Sequence, residues 1–273
     1  MKEAALRSPA LAGRRPWARV RAGLPWLSLP LTLVAWEAGV RAAHVPPYLV
    51  PPPSAVLTIL WQERGLYLAA AGATLSEALF GLALGLGIAL ALAMAMTFWP
   101  PLERAVMPLV LLVKAIPLVA IAPILTLWFG FGPMPKILMT ALLTFYPALV
   151  TMANGLRAVD PAVEELFRSW AASKWEIFRH LRWPAAWPYT FAAVKTAVPL
   201  ALIGAVVAEW TGASAGLGRA MWLAQNNLDM PRLFAAAFLL AGMSLAGYRL
   251  AAALERRTLW WDAAAREPGG PLR

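Results

Sequence analysis

The sequence predicts an all-α membrane protein with six transmembrane helices and both termini in the cytoplasm. Of its 273 residues, 60% are hydrophobic and 14% are charged, whereas soluble domains are about 45–50% apolar and about 25% charged. A soluble core cannot hide this much apolar surface, so lipid must surround part of the chain. The lysines and arginines also gather in alternate loops, which predicts an orientation in the membrane.

Six apolar segments are candidates to cross a bilayer core of about 30 Å, which takes roughly 20 residues of helix. In chain order they are 24–40, 78–98, 105–129, 137–153, 191–210 and 233–254. Proline-rich turns separate several of them, because proline breaks helices. The second segment contains Gly81, Gly85 and Gly87, and small residues let membrane helices approach closely. We expect these glycines to pack within the chain rather than to form a dimer face.

Positive charge favours the cytoplasmic side of a membrane protein. With the N-terminus inside, most loop lysines and arginines lie in the N-terminal tail, the 154–190 loop and the C-terminal end, all cytoplasmic. The net charge of +10 therefore does not require a nucleic acid partner. A cleaved signal peptide is the weaker interpretation of the first apolar segment, because the basic stretch before it is too long.

The predicted domains follow from these spans. Their bounds are a basic cytoplasmic tail 1–23, a first helix with its outer loop 24–65, a transmembrane domain 66–255 and a cytoplasmic tail 256–273.

The sequence shows no motif for catalysis or for binding a metal ion or cofactor. It has no cysteine, and its two histidines have no partner at metal-ligand spacing. It contains no Gly-x-x-x-x-Gly-Lys-Ser/Thr loop to cradle ATP phosphates and no Gly-x-Ser-x-Gly nucleophile elbow. We expect no catalytic, metal or cofactor site on this chain.

The longest cytoplasmic connection, 154–189, has the pattern of two short amphipathic helices. Asp160-Pro161 is a helix-start signal, since Asp caps free backbone N–H groups and Pro suits the first turn. Glu164 and Glu165 follow in that turn, where acidic groups favour the helix dipole.

The second helical piece is predicted over 174–182, where Trp175, Phe178 and Leu181 recur every third residue. The Trp183-Pro184 pair is expected to end it. The physics of the two pieces leaves two interpretations open. They could dock into a groove on a partner protein, or they could rest on anionic lipid.

The loop resembles the signature of importer permeases that work with extracytoplasmic binding proteins. That signature is Glu-Ala-Ala, three residues, Gly, nine residues, Ile, one residue and Leu-Pro. The chain keeps every spacing while changing several identities, with Glu165-Leu166-Phe167, Ala171, Leu181 and Trp183-Pro184.

Further segments are similar to the branch of this family that imports nitrate, sulfonates, taurine and pyrimidine precursors. They are Lys114-Ala115-Ile116-Pro117, Ala122-Pro123, the 127–132 run, the 172–178 run and Gly216-Leu217-Gly218. The resemblance covers roughly residues 50–255 and implies a type I ABC importer-like permease fold.

The resemblance also implies that the 154–189 loop docks onto a separate ATPase subunit, which binds ATP and Mg²⁺. The residues expected at this contact are Glu164, Glu165, Ala171, Ser173, Lys174, Trp175, Phe178, Leu181 and Pro184. The implied assembly contains two ATPase copies, two copies of this chain and an extracytoplasmic binding protein, in the bacterial inner membrane. The family's solutes include sulfonates, nitrate, taurine, pyrimidine precursors and riboflavin-like compounds, and we favour a small organic solute.

Ionisable groups inside membrane spans are costly and often functional. Residues expected to line the translocation path are Lys114, Pro117, Pro123 and Glu209. The two prolines are predicted to kink the third span and to free backbone carbonyls, which must face protein or water. Glu37 is a weaker candidate, and Lys195 is expected to extend its ammonium towards the cytoplasmic interface. A structural ion pair is the alternative for each charge.

Two other classes of protein would show different sequence features. An ion-coupled secondary transporter would show paired half-repeats and broken helices that carry the coupling site. An intramembrane enzyme would need a catalytic pair at matched depth. The sequence shows neither repeats nor such a pair, and the secondary transporter is the main alternative.

Overall fold

The structure is a computed structural model that describes residues 17–260, apart from the side chains of 17–27, Val113 and Leu118. The outer parts of the predicted tails, 1–16 and 261–273, lie outside the described residues. Within the described range all regular elements are helical, which confirms the all-α class. They are α1 (Trp17–Ala42), α2 (Pro53–Gln62), α3 (Arg64–Phe98), α4 (Pro100–Ala115), α5 (Leu118–Phe129), α6 (Met134–Arg157), α7 (Pro161–Ser169), α8 (Lys174–Ile177), a π-helical segment (Phe178–Arg182), α9 (Trp183–Glu209), α10 (Leu217–Asn226) and α11 (Met230–Thr258).

Four helices in the described chain are long and apolar enough to cross a membrane. They are α3, α6, α11 and the continuous helix Lys174–Glu209, which joins α8, the π-helical segment and α9. The predicted span 24–40 falls within α1, and 105–129 is divided between α4 and α5. The count of six transmembrane helices and the cytoplasmic placement of both termini stay predictions.

The third predicted span breaks at a proline. Helix α4 ends at Ala115 and α5 begins at Leu118, with Pro117 between them in an extended conformation (ψ 111°). Proline has no N–H to continue the helical ladder and disfavours helical geometry in the residue before it. The predicted distortion at Pro117 is therefore confirmed, whereas Pro123 lies inside α5 without interrupting it.

The prediction that Trp183-Pro184 ends a short helix is wrong. The helix that begins at Lys174 continues through this pair to Glu209. A proline removes one hydrogen bond and clashes with the carbonyl four residues earlier. Here the backbone widens into the π-helical segment, where the N–H of Trp183 donates to the carbonyl of Phe178, five residues back. The extra residue in this turn accommodates the proline.

Helices α3, α6 and α9 pack closely together as the centre of the bundle. The α3–α6 contact depends on glycine, because a Cβ added at Gly81 would lie 2.7 Å from the carbonyl oxygen of Ile137. A Cβ at Gly85 would lie 2.8 Å from that of Ala141. The expected packing within the chain is found at these two positions, but a Cβ at Gly87 would meet no atom within 4 Å.

Candidate functional site

The predicted start of the loop helix is confirmed. The Asp160 carboxylate accepts a hydrogen bond from the N–H of Ala162 at 2.9 Å, and α7 begins at Pro161. No residue of α7 is buried, and Leu166 and Trp170 at its end are large apolar side chains that are 47% and 69% exposed. Exposed apolar groups of this size on a short helix are typical of a contact surface.

A left-handed turn separates α7 from α8. Ala171 has a φ of +57°, and the N–H of Ala172 donates to the carbonyl of Phe167 at 3.1 Å, which closes the end of α7. Left-handed backbone suits glycine and costs other residues about 1 kcal/mol. The structure thus explains why the signature has glycine where this chain has Ala171.

Helix α8 starts with a capping box. The hydroxyl of Ser173 accepts from the N–H of Glu176 at 3.2 Å, and the Glu176 carboxylate accepts from the N–H of Ser173 at 2.7 Å. Each side chain satisfies a backbone group that would otherwise lack a partner. Ser173 therefore fixes where the long helix begins, and it places the exposed Lys174 and Trp175 in the first turn.

An ion-pair network joins α7 to the long helix. The Glu164 carboxylate accepts from Arg168 at 2.8 Å and from Arg182 at 3.0 Å. The hydrogen bond from Arg168, together with that from Arg182, lowers the pKa of Glu164 below its usual value. Glu164 thus holds the two helices together, while its neighbour Glu165 is exposed.

Aromatic rings fasten the same region to the end of α3. The ring centroid of Phe178 lies 4.9 Å from that of Phe98 and 5.5 Å from that of Trp175. Phe178 is only 6% exposed, so it packs against the bundle, whereas Trp175 is 57% exposed. Leu181 is half-buried and Pro184 is exposed. The contacts predicted between these residues and an ATPase stay predictions.

At the opposite end of α9, the Glu209 carboxylate is completely buried. It accepts hydrogen bonds from the Thr74 hydroxyl at 2.7 Å and from the N–H of Gly218 at 2.5 Å. The Thr74 hydroxyl in turn accepts from the N–H of Leu217 at 2.8 Å. Glu209 thus caps the start of α10 and ties it to α3, and its role in the translocation path stays a prediction.

The glycines of Gly216-Leu217-Gly218 follow from this cap. Gly216 has a φ of +116°, and a Cβ there would collide with the Glu209 carboxylate. A Cβ on Gly218 would lie 2.5 Å from the carbonyl oxygen of Val206. The motif therefore leaves room for the carboxylate.

Two charged residues of this cluster were missed by sequence reasoning. Glu77 is buried on α3, and one of its carboxylate oxygens lies 3.5 Å from the ammonium of Lys136, which is also buried. Lys136 also donates to the carbonyls of Phe131 and Gly132. Glu77 and Lys136 each lie one residue before a predicted span, where Lys136 was counted with the outer loops and Glu77 was not considered. The motif Gly216-Leu217-Gly218 was the signal of a close contact here.

The remaining predicted charges have distinct surroundings. Lys195 donates to Glu255 of α11 at 2.6 Å, which is the ion pair given as the alternative for this charge. The Glu37 carboxylate accepts hydrogen bonds from Arg41 and from the N–H of Ser54. Glu37 thus forms the structural ion pair that was given as the alternative to a role in the path. The ammonium of Lys114 lies 4.4 Å from the centroid of an aromatic ring on α6.

These features define a class of protein. A helical membrane bundle presents a short, rigidly attached helix pair at one end, and the helix behind it runs to a buried cap at the other. This arrangement fits the membrane subunit of a transporter that is driven through its exposed loop.

The comparisons identify the family. Residues 81–260 match the family described as "Binding-protein-dependent transport system inner membrane component", and the chain belongs to it. The chain is a multi-pass permease subunit of an ATP-driven importer of small solutes, not an enzyme. Members of this family work with an ATPase and a binding protein. Family membership removes the ion-coupled alternative.

Named relatives span nearly the whole chain. The chain is 40% identical to "Riboflavin transport system permease protein RibX" of Chloroflexus aurantiacus, over 88% of this chain and 90% of the relative. It is 36% identical to "Formylaminopyrimidine transport permease protein ThiX" of Halalkalibacterium halodurans, over 87% and 95%. It is 31% identical to "Putative aliphatic sulfonates transport permease protein SsuC" of Escherichia coli, over 88% and 92%.

Solved structures support the fold. An amino acid ABC transporter crystallised with histidines aligns with a TM-score of 0.60 at 19% identity, covering 74% of this chain and 98% of that one. A bacterial ABC transporter that imports alginate aligns with a TM-score of 0.58 at 14% identity, covering 89% and 99%. At these identities the likeness shows the importer permease fold alone.

Proposed function

We propose that two copies of this chain form the translocation path of an importer in the bacterial inner membrane, and that the solute is a small planar heteroaromatic compound. An extracytoplasmic binding protein delivers the solute, and two ATPase copies bind ATP and Mg²⁺. The solute class is supported by the relatives at 40% and 36% identity, which are named for riboflavin and formylaminopyrimidine. Both sequence identities are higher than the 31% identity to the aliphatic sulfonate permease.

The observation that carries the mechanism is the continuity of the helix Lys174–Glu209. Its 36 residues span about 54 Å at 1.5 Å per residue. One end carries the capping box and is bonded to α7 through Glu164 and Arg182. The other end holds α10 through Glu209. Closure of the ATPases against α7 and α8 would tilt this helix and so move the extracytoplasmic end of the path.

The exposed side of the helix pair supplies the docking surface in this proposal. It consists of Glu165, Leu166, Trp170, Ala171 and Trp175, all of which are exposed. A groove on the ATPase would cover the apolar members and pair with Glu165, as amphipathic helices do in other complexes. The attachments through Glu164 and Phe178 keep this surface rigid relative to the spans.

The test is co-purification with the neighbouring ATPase in mild detergent. We expect Glu165→Lys and Ala171→Trp to lower the amount of bound ATPase or to uncouple its hydrolysis from solute. The matched control is Ala215→Trp, which adds the same bulk at an exposed position in the loop between α9 and α10. Equal ATPase binding and coupling in all three variants and in the unaltered chain would refute the docking surface.

A further inference from the structure

Lys114 is a cation without a carboxylate partner among the described residues, and it lies in the predicted third span. It lies in the last turn of α4 and is exposed, and no carboxylate of the described residues is within ion-pair distance of it. A lysine inside the hydrocarbon region is costly and is usually found where it meets water, a partner or a solute. Its ammonium lies 4.4 Å from the ring centroid of Tyr146 on α6, which is cation–π distance. Lys114 therefore belongs on a wall that faces water or solute, not lipid.

A cavity opens beside this pair. It has a volume of about 300 Å³ and lies between α4, α6 and α9, which is at the lower end of the range of about 300–1,000 Å³ for ligand pockets. Apart from Lys114 and Tyr146, its lining is apolar, with Phe145, Leu142 and Leu200 among the walls. Apolar walls with a few convergent polar groups are characteristic of small-molecule sites.

The broken helix adds polar backbone next to Lys114 in the chain. Helix α4 ends one residue after Lys114, and Pro117 has no N–H to offer. The last carbonyls of α4 therefore lack their usual helical partners. In a membrane, free carbonyls of this kind occur only where they face protein or a water-filled cavity. The break and the cation together indicate that this side of α4 is exposed to water.

We infer that this cavity is a solute subsite within the permease, and that it takes a planar heteroaromatic ring with hydrogen-bond acceptors on its edge. The inference rests on the proposed function and extends it to particular residues. The ring would pack against the side chains of Phe145 and Tyr146, and the Lys114 ammonium, which lies over the Tyr146 ring, would donate to a ring nitrogen or carbonyl oxygen.

The chemistry of the lining disfavours a small oxyanion. A sulfonate or nitrate has three oxygens that must each find a donor when water is removed. Among the described lining residues, Lys114 is the one cation and Tyr146 the one hydroxyl. The ammonium already lies against a neutral aromatic face. A ring that needs one donor and two flat walls fits this lining better.

The experiment uses the complete complex of permease and ATPase, purified without its binding protein. Binding of riboflavin and of formylaminopyrimidine is measured by equilibrium dialysis, with methanesulfonate as a competitor. We expect the unaltered complex to bind at least one of these ring compounds. Lys114→Ala and Tyr146→Leu should each weaken that binding about tenfold, which corresponds to about 1.4 kcal/mol. Lys114→Arg and Tyr146→Phe should stay within about twofold.

Two controls separate the subsite from general damage. Arg64→Ala removes another cation that lies over an aromatic ring, 5.2 Å from the Trp61 centroid, and it should leave binding unchanged. Retained ATPase and an unaltered elution volume show that each variant is folded. Unchanged ring binding in Lys114→Ala and Tyr146→Leu would overturn the inference, as would displacement of the ring by methanesulfonate.

Import by proteoliposomes that contain the binding protein distinguishes the two proposals. If the unaltered complex imports a ring compound but binds none without the binding protein, the subsite is refuted and the proposed function stands. If it imports neither ring compound, the proposed solute class fails and the subsite fails with it.

Discussion

Ala171 provides a test of the coupling turn that separates backbone strain from bulk. Its φ of +57° costs alanine about 1 kcal/mol relative to an unstrained conformation. Glycine removes that strain but loses about 0.5–1 kcal/mol through its freer unfolded chain. Ala171→Gly should therefore leave the local stability of α7 equal or up to about 0.5 kcal/mol higher. Ala171→Val, which is β-branched, should lower it by about 1–2 kcal/mol.

Asparagine is the decisive third variant, because it tolerates left-handed backbone but is larger than alanine. Hydrogen exchange of the 162–172 amides in detergent measures the local opening directly. We expect Gly and Asn to protect these amides at least as well as Ala, and Val to open them about five- to thirtyfold more. Equal exchange in Ala171→Val and the unaltered chain would refute the strain account. If Asn impairs ATPase binding while protecting the turn, close contact at this position is the cause.

Three further predictions concern the ends of the long helix. Glu209→Ala leaves the buried N–H of Gly218 without its acceptor, whereas the Thr74 hydroxyl keeps the carbonyl of Ala70 at 3.2 Å. The loss of this acceptor should cost about 1–3 kcal/mol, seen as a lower melting temperature in detergent, and Glu209→Gln should lose less. Gly218→Ala should reduce the folded yield because of its 2.5 Å clash, whereas Gly87→Ala, with no atom in reach, should not, and equal yields would contradict the packing. Finally, the arginine partners of Glu164 lower the pKa of its carboxyl group. The carboxylate therefore stabilises the attachment of α7 at pH values above the usual carboxyl pKa, and this stabilisation is lost as the pH falls through the lowered pKa. Glu164→Gln should abolish that pH dependence in the hydrogen exchange of α7.

Local signals were read correctly from the sequence. The start of α7 depends on Asp160 and Pro161 alone, so the capping pattern was sufficient. The break at Pro117 was predicted from the proline itself, but the same signal failed at Pro123, which lies inside α5. The spacing of the signature identified Ala171 as the position where relatives have glycine. The left-handed backbone at Ala171 explains the preference for glycine there.

Features that depend on distant residues were not predicted. Pro184 was expected to end a helix, but the π-helical segment absorbs it, and the packing of Phe178 against Phe98 holds that segment in place. The pairing of Glu77 with Lys136 joins residues far apart in the sequence. Neither has a local pattern, because each depends on how α3, α6 and the long helix pack.

In the proposed mechanism, motion of α7 and α8 moves the far end of the long helix. The chain has no cysteine, so Ser214→Cys gives one label per copy at an exposed position beside α10. The measurement is the label-to-label distance in the complete complex, with and without a non-hydrolysable ATP analogue. We expect the distance to change with nucleotide and Ala171→Trp to abolish the change. An identical distance in both nucleotide states, or a nucleotide-dependent change that survives loss of loop docking, would contradict it.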